Sequence, residues 1–198
     1  MKTHAPPVLR IVILAAGFSR RLKAPKAFAR VKGVTLLRRT AGVLAPCSDA
    51  DLIVIAPPQR GRYRVELRRL SAVTLPNPRR SLGLSSSVRL GLSRARYASA
   101  ILFVPVDLAR LHGRDIARLI AAWRASRRKL VARRIVAGGG TPLILPRHLF
   151  AAASRVAGDV GLRGVLRAVH DDERRLVALP SAATDVDTPE DLARARRK

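Results

Sequence analysis

Short apolar runs alternate along this chain with longer stretches in which apolar residues recur every three or four positions. The runs Arg10 to Leu14, Asp51 to Ala56, Ala72 to Leu75, Ala100 to Val106, Leu130 to Val136, Pro142 to Leu145 and Arg175 to Leu179 predict strands. Helices are expected where Val88, Leu92 and Ala95 recur, where Ile116, Leu119, Ile120 and Trp123 recur, and after Gly161, where Val165 and Val169 recur. Strand and helix in alternation argue a single three-layer α/β domain, its mostly parallel sheet covered on both faces. Sheets of this kind bind ligands beyond the carboxyl ends of their strands. The segments just after Leu14 and just after Val106 are therefore expected at one edge of the sheet. Near the C-terminus, Thr188-Pro189-Glu190-Asp191 reads as a helix start, with Thr188 as N-cap, Pro189 at the first helical position and acids in the first turn. The domain is placed at residues 8–198, and residues 1–7 are expected to be flexible.

Length and composition agree with one core. A chain of 198 residues, 48% of them hydrophobic, can bury roughly 70% of the surface of its unfolded form. No apolar run approaches the ~20 residues of a membrane span. Met1 to Pro7 lacks the apolar stretch and cleavage site of a signal peptide, so a cytoplasmic protein without membrane association is expected. The single cysteine, Cys47, excludes an internal disulfide and a cysteine-based zinc cluster and is read as a filler. His112, His148 and His170 lack metal-ligand spacing.

Charge changes the picture more. Lys and Arg number 39 against 13 acids, a net +26, and all but six of the cations are Arg. They recur as pairs, among them Arg38-Arg39, Arg79-Arg80, Arg127-Arg128 and Arg174-Arg175, with no basic tail, and aromatic residues make up only 4%. A nucleic-acid site would gather cations and interleave aromatics. A solvated surface is favoured over nucleic-acid binding, and its positive field suits capture of a triphosphate or another anionic small molecule.

Candidate chemistry concentrates in the run from Leu14 to Lys26, LAAGFSRRLKAPK, directly after the first strand. Gly17 frees the backbone for dihedrals closed to other residues and for close approach to a ligand, successive N–H groups can point at phosphate oxygens, and Arg21 and Lys26 supply full charges. The spacing fits neither G-x-x-x-x-G-K-[ST] nor G-x-G-x-x-G. Two further features suit phosphate chemistry. Asp107 ends an apolar strand, and Asp185 and Asp187 would share one face of an extended segment, where carboxylates can hold a divalent cation.

The loop resembles the signature L-A-A-G-x-S-x-R-M-G-x-x-K of the nucleotidyltransferase family that includes the molybdenum cofactor cytidylyltransferases. Further segments match that family in order: Asn77-Pro78 with Gly83-Leu84-Ser85-Ser86-Ser87, the strand ending in Asp107, Gly140-Thr141-Pro142, Gly158-Asp159-Val160-Gly161-Leu162-Arg163, and Asp185-Val186-Asp187-Thr188-Pro189-Glu190-Asp191-Leu192. Three positions depart from the pattern: Lys23 replaces a glycine, Leu108-Ala109 stands where a proline usually comes two residues after the aspartate, and Thr141 replaces a frequent histidine.

The resemblance implies a fold of the nucleotide-diphospho-sugar transferase type. It implies transfer of CMP from CTP to the terminal phosphate of a molybdopterin-type cofactor, with pyrophosphate released and Mg2+ required. On this basis Lys26, Arg21 and Asp107 are the expected catalytic residues, and Leu14, Ala15, Ala16, Gly17, Ser19, Asn77, Ser86 and Ser87 the expected nucleotide contacts. Asp107 and Asp187 are the expected metal ligands, with Asp185 the other candidate. Asp159 and Arg163 are open between substrate contact and a helix-start ion pair. The implied partners are CTP or another NTP, a molybdopterin-type anionic substrate, and a molybdoenzyme or its maturation factor. Ala16 leans towards CTP, because GTP-using relatives typically carry Leu-Ala-Gly-Gly there. Two other functions stay open: a relative using another nucleotide or acceptor, such as a sugar phosphate or a phosphorylated small acid, and a non-catalytic basic binding protein on the same fold.

Overall fold

Every apolar run becomes a strand of one seven-stranded sheet in the computed structural model, which describes residues 8–48, 50–135, 138–158, 161–183 and 185–197. Residues 1–7, Val136 and Asp159 lie outside the described residues. The strands are β1 (Leu9–Leu14), β4 (Leu52–Ala56), β5 (Ala72–Pro76), β6 (Ala100–Pro105), β7 (Leu130–Ile135), β8 (Gly138–Pro146) and β9 (Arg174–Val177), in the order β5-β4-β1-β6-β8-β7-β9. Six of them run in one direction. β8 is antiparallel to both neighbours, β6 and β7. The mostly parallel sheet and its helices, α1 (Leu36–Leu44), α2 (Gly61–Leu67), α3 (Leu84–Arg94), α4 (Gly113–Ala125), α5 (Phe150–Arg155), α6 (Leu162–Ala168) and α7 (Pro189–Arg197), make the expected three-layer α/β domain.

Period-two alternation explains the layers. Ile11 and Ile13 point to one face, where Leu37, Ala41, Leu44, Tyr63, Leu67, Ile116 and Trp123 of α1, α2 and α4 meet them. Val12 and Leu14 point to the other, against Val88 and Leu92 of α3 and Leu162, Val165 and Leu166 of α6. Each fully buried side chain of this size contributes about 1.5–3 kcal/mol from desolvation. β1 leads through α1 to β4 on one side, whereas β5 leads back through α3 to β6 on the other. The crossovers diverge between β1 and β6, and a crevice opens there at the carboxyl ends of the strands.

The sequence pattern misses two features. A hairpin of two-residue strands, β2 (Arg30–Val31) and β3 (Val34–Thr35), turns on Lys32 and Gly33, both with positive φ, as a tight hairpin turn requires. Strand β8 begins at Gly138, four residues before the run at Pro142. Small size matters within it: a Cβ on Gly139 would stand 2.4 Å from Leu166 Cδ2, and the leucine on α6 would have to shift to admit it.

Candidate functional site

The loop after β1 and the residue after β6 meet because their strands are paired neighbours; Val106 N–H donates to the Leu14 carbonyl at 3.2 Å. Asp107 thus faces the loop from Leu14 to Lys26 across the switch point. The third element arrives from far along the chain. Val186 N–H donates to the Asp107 carbonyl at 3.0 Å, and Leu108 and Asp185 form an antiparallel bridge, which brings Asp187 alongside. A small apolar cluster beneath this junction, Leu22, Val31, Leu36, Ala109, Val186 and Ala195, clamps the loop, the hairpin and α7 together. Ala109, where the family pattern has proline, is buried in that cluster.

Lys26 is the hub. Its ammonium donates to Asp107 Oδ2 at 3.0 Å and to Asp187 Oδ1, and Arg21 donates to Asp187 Oδ2 at 2.6 Å. Burial pulls the Lys26 pKa down, but the two carboxylates outweigh it and hold the amine above its ordinary value, so it stays charged near neutrality. Burial pushes the Asp107 carboxyl up, and Lys26 offsets only part of the rise. Ser19 Oγ accepts from Lys26 N–H at 3.0 Å, tying the loop back on itself.

These groups line a cavity of about 440 Å³ with Leu14, Ala15, Ala16, Gly17, Ser19, Arg80, Gly83, Ser87 and Thr141. Gly17 serves the site differently from the sequence-based expectation. Its φ is not positive, and a Cβ there would meet nothing within 4 Å, so the glycine keeps space open over the cavity rather than supplying unusual dihedrals.

Asn77 and Ser86 do not line the cavity. Asn77 is buried, with Nδ2 donating to Ser86 Oγ and Ser87 Oγ at 2.9 Å each and its N–H to the Ala56 carbonyl at 2.8 Å. It locks the end of β4 to α3 and holds Ser87 at the cavity wall. The three serines do not act as N-caps. Gly83 occupies that position with φ of 83°, and Ser86 Oγ donates to its carbonyl at 2.8 Å. Asp185 is exposed and pairs with Arg133 at 3.3 Å, apart from the Lys26 hub. Arg163 is exposed and is not among the cavity-lining residues.

Asp187 is positioned by the helix start immediately after it. Thr188 Oγ1 accepts from Asp191 N–H at 3.2 Å, while Asp191 Oδ2 accepts from the N–H groups of Thr188 and Asp187 at 2.9 and 3.0 Å. This is a reciprocal capping box extended by one residue. The capping residues and Asp187 therefore divide structural and site duties within one motif.

Sequence reasoning misses three residues here. Tyr63 is buried and donates through its hydroxyl to the Ala15 carbonyl at 3.2 Å. Arg80 donates to the Ala16 carbonyl at 3.3 Å, although in sequence it reads as one of the scattered pairs; its place between Asn77 and Gly83 is the available signal. Asp115, buried in α4, accepts from Ser181 N–H and Oγ at 2.9 and 2.6 Å and pins the turn leading to Asp185, a long-range contact without local signature.

Lys23 has φ of 56°, the left-handed region, which explains why glycine suits this position. Lys23→Gly is expected to stabilise the fold by about 1 kcal/mol. Thermal unfolding is the check, with a rise of roughly 2–4 °C for a chain of this size.

Asp107 and Asp187 converge on one ammonium and offer hard oxygen donors. Among the described residues no cluster of three or more acidic, His or Cys side chains exists to cage a metal. A pair of carboxylates fits magnesium, which is commonly held by one or two of them together with waters and substrate phosphates. No described helix is long and apolar enough to cross a membrane.

Residues 11–174 match the MobA-like NTP transferase domain. A probable molybdenum cofactor guanylyltransferase of Rhodopirellula baltica is 31% identical over 97% of this chain and 93% of its own. The crystal structure of Rv0371c from Mycobacterium tuberculosis superposes with a TM-score of 0.77 at 25% identity, covering 97% of this chain and 99% of that one. A manganese complex of Rv0371c superposes equally well, with a TM-score of 0.77 at 23% identity over 98% and 100% of the two chains. With residues 11–174, most of this chain, matched by the family's domain, this chain belongs to the MobA-like NTP transferase family and is a nucleotidyltransferase.

Proposed function

We propose that this nucleotidyltransferase moves CMP from CTP to the terminal phosphate of a molybdopterin-type acceptor. The observation that carries the reading is the Lys26 ammonium, held between Asp107 and Asp187 on a cavity lined by the loop from Leu14 to Arg21. An acceptor phosphate oxygen forms a bond to the α-phosphorus while the bond to the β-phosphate oxygen breaks and pyrophosphate leaves. Negative charge builds on the phosphoryl oxygens during that exchange. Lys26 meets it with a fixed charge in a partly desolvated site, where such stabilisation is strongest. Its raised pKa suits electrostatic stabilisation rather than proton transfer. Gly17 lets the chain approach the phosphates, and Arg21 adds a second cation beside Asp187. Asp107 and Asp187 are the residues that would hold Mg2+, which when bound supplies Lewis-acid neutralisation of the phosphate oxygens.

Ala16 supports the cytidylyl assignment: its methyl group takes up room at the cavity wall that a pyrimidine spares more easily than a purine. A size filter of this kind is worth about 1–3 kcal/mol. Guanylyl transfer is the second reading, favoured by the 31% identical relative that bears a guanylyltransferase name. The test is pyrophosphate release with Mg2+, each NTP and a panel of acceptors, for wild type and Ala16→Gly. CTP is expected to lead in the wild type, with a shift towards GTP in the variant. Preference for GTP in the wild type overturns the cytidylyl assignment.

A further inference from the structure

The cavity carries a second polar group that the phosphate chemistry does not use. Arg80 and Ser87 flank it on the side of β5 and α3, next to the backbone of Ala16 and Gly17. Two contacts fix the Arg80 guanidinium. One N–H donates to the Ala16 carbonyl at 3.3 Å, and the guanidinium carbon lies 4.0 Å from the centroid of the Phe18 ring. Among the described residues no carboxylate pairs with it; the acids lining the cavity are Asp107 and Asp187, both engaged by Lys26.

A guanidinium has five N–H donors and no acceptor, so with one donor on Ala16 it still offers a donor fork. Ser87 adds to the same bias. Its oxygen accepts from Asn77, which leaves its own O–H to donate. This side of the cavity therefore presents donors. Nucleobases differ in how they meet such a surface. Cytosine offers adjacent acceptors at N3 and O2, and guanine at O6 and N7. Adenine sets a donor amine beside N7, and uracil sets N3–H between its carbonyls. Arginine pairs in bidentate fashion with two adjacent acceptors, whereas a donor in that place meets donor.

We propose that Arg80 reads the base of the incoming nucleotide, selecting cytosine or guanine over adenine and uracil. This rests on the reading of the cavity as an NTP site, and it is independent of the size filter at Ala16, which separates cytosine from guanine. Phe18 holds the guanidinium plane, and the Ala16 carbonyl sets its height in the cavity.

The experiment measures dissociation constants by calorimetry for CTP, GTP, UTP, ATP and inorganic tripolyphosphate, with Mg2+, in wild type, Arg80→Gln and Arg80→Lys. Melting temperatures verify that each variant is folded, and pyrophosphate release is followed in parallel. The wild type is expected to prefer CTP or GTP over both UTP and ATP by about 10- to 100-fold, and both variants to lose most of that ratio. Tripolyphosphate affinity should change less than about twofold on Arg80→Lys, which retains the charge. An undiminished base ratio in both variants, with binding and turnover intact, overturns the role of Arg80 and leaves the nucleotidyl-transfer reading standing. So does a uniform loss of affinity for all four nucleotides and tripolyphosphate, which would make Arg80 a phosphate contact. Absence of any NTP binding by the wild type overturns both.

Discussion

Asp107→Asn is expected to lower kcat by about 10³-fold, roughly 4 kcal/mol of transition-state stabilisation, with the fold intact. The substitution keeps the shape of the side chain and removes its charge. The contacts that place it are made by backbone, Val186 N–H to the residue 107 carbonyl and the Leu108–Asp185 bridge, so the loop has no reason to move. Lys26 also keeps its bond to Asp187. What disappears is half of the carboxylate pair proposed to hold the metal. Asp187→Asn should show a loss of similar size, whereas Asp185→Asn should change little, because Asp185 is exposed and pairs with Arg133 instead. Steady-state kinetics of the three variants over a range of Mg2+ concentrations is the measurement. An unchanged kcat in Asp107→Asn would remove the ligand assignment, and a larger effect at Asp185 than at Asp187 would transfer it.

The convergence of these residues is partly legible in the sequence. Leu14 and Val106 end apolar runs, and strand ends of a parallel sheet share an edge, so the loop and Asp107 are expected together from the chain alone. The Asp185-Val186-Asp187 segment is recognisable by its motif, yet only the bridge to Leu108 shows why Asp187, rather than Asp185, reaches Lys26. The β2–β3 hairpin escapes because two residues per strand carry no period to detect. The start of β8 is masked by the glycines from Gly138 to Gly140, whose strand propensity is low; at Gly139 the missing side chain leaves room for Leu166 of α6. Asn77 illustrates another limit. A polar residue in a matching motif invites a ligand-contact reading, but a buried amide must satisfy its own hydrogen bonds, and here it does so on two serines and its neighbouring backbone. Tyr63, Arg80 and Asp115 act through partners far away in the chain, and such pairings leave no mark on local pattern.

Lys26→Ala is the second large effect, and it separates aimed charge from general basicity. One cation among 39 is too few to alter a diffuse field, but this one is the cation proposed to meet the reacting phosphates, and on that proposal kcat/KM should fall by about 10²- to 10³-fold. Arg128→Ala, at an exposed position outside the cavity lining, should change activity less than about twofold. The Lys26 variant should also melt earlier at neutral pH, because Asp107 then keeps a largely buried carboxylate without its ammonium. That stability difference has a defined pH dependence. The Lys26 pKa is raised in the folded state, so the stabilisation is fully present below the amine's unfolded value and is lost as pH climbs through the folded one. Wild type and Lys26→Ala should therefore differ by a constant amount in melting temperature around neutrality and converge in the alkaline range above about pH 10. Kinetics of both variants and melting curves from pH 7 upward test this together. Equal activity losses at Lys26 and Arg128, accompanied by tight and steeply salt-dependent binding of nucleic acid, would instead assign the basic surface to nonspecific polyanion binding.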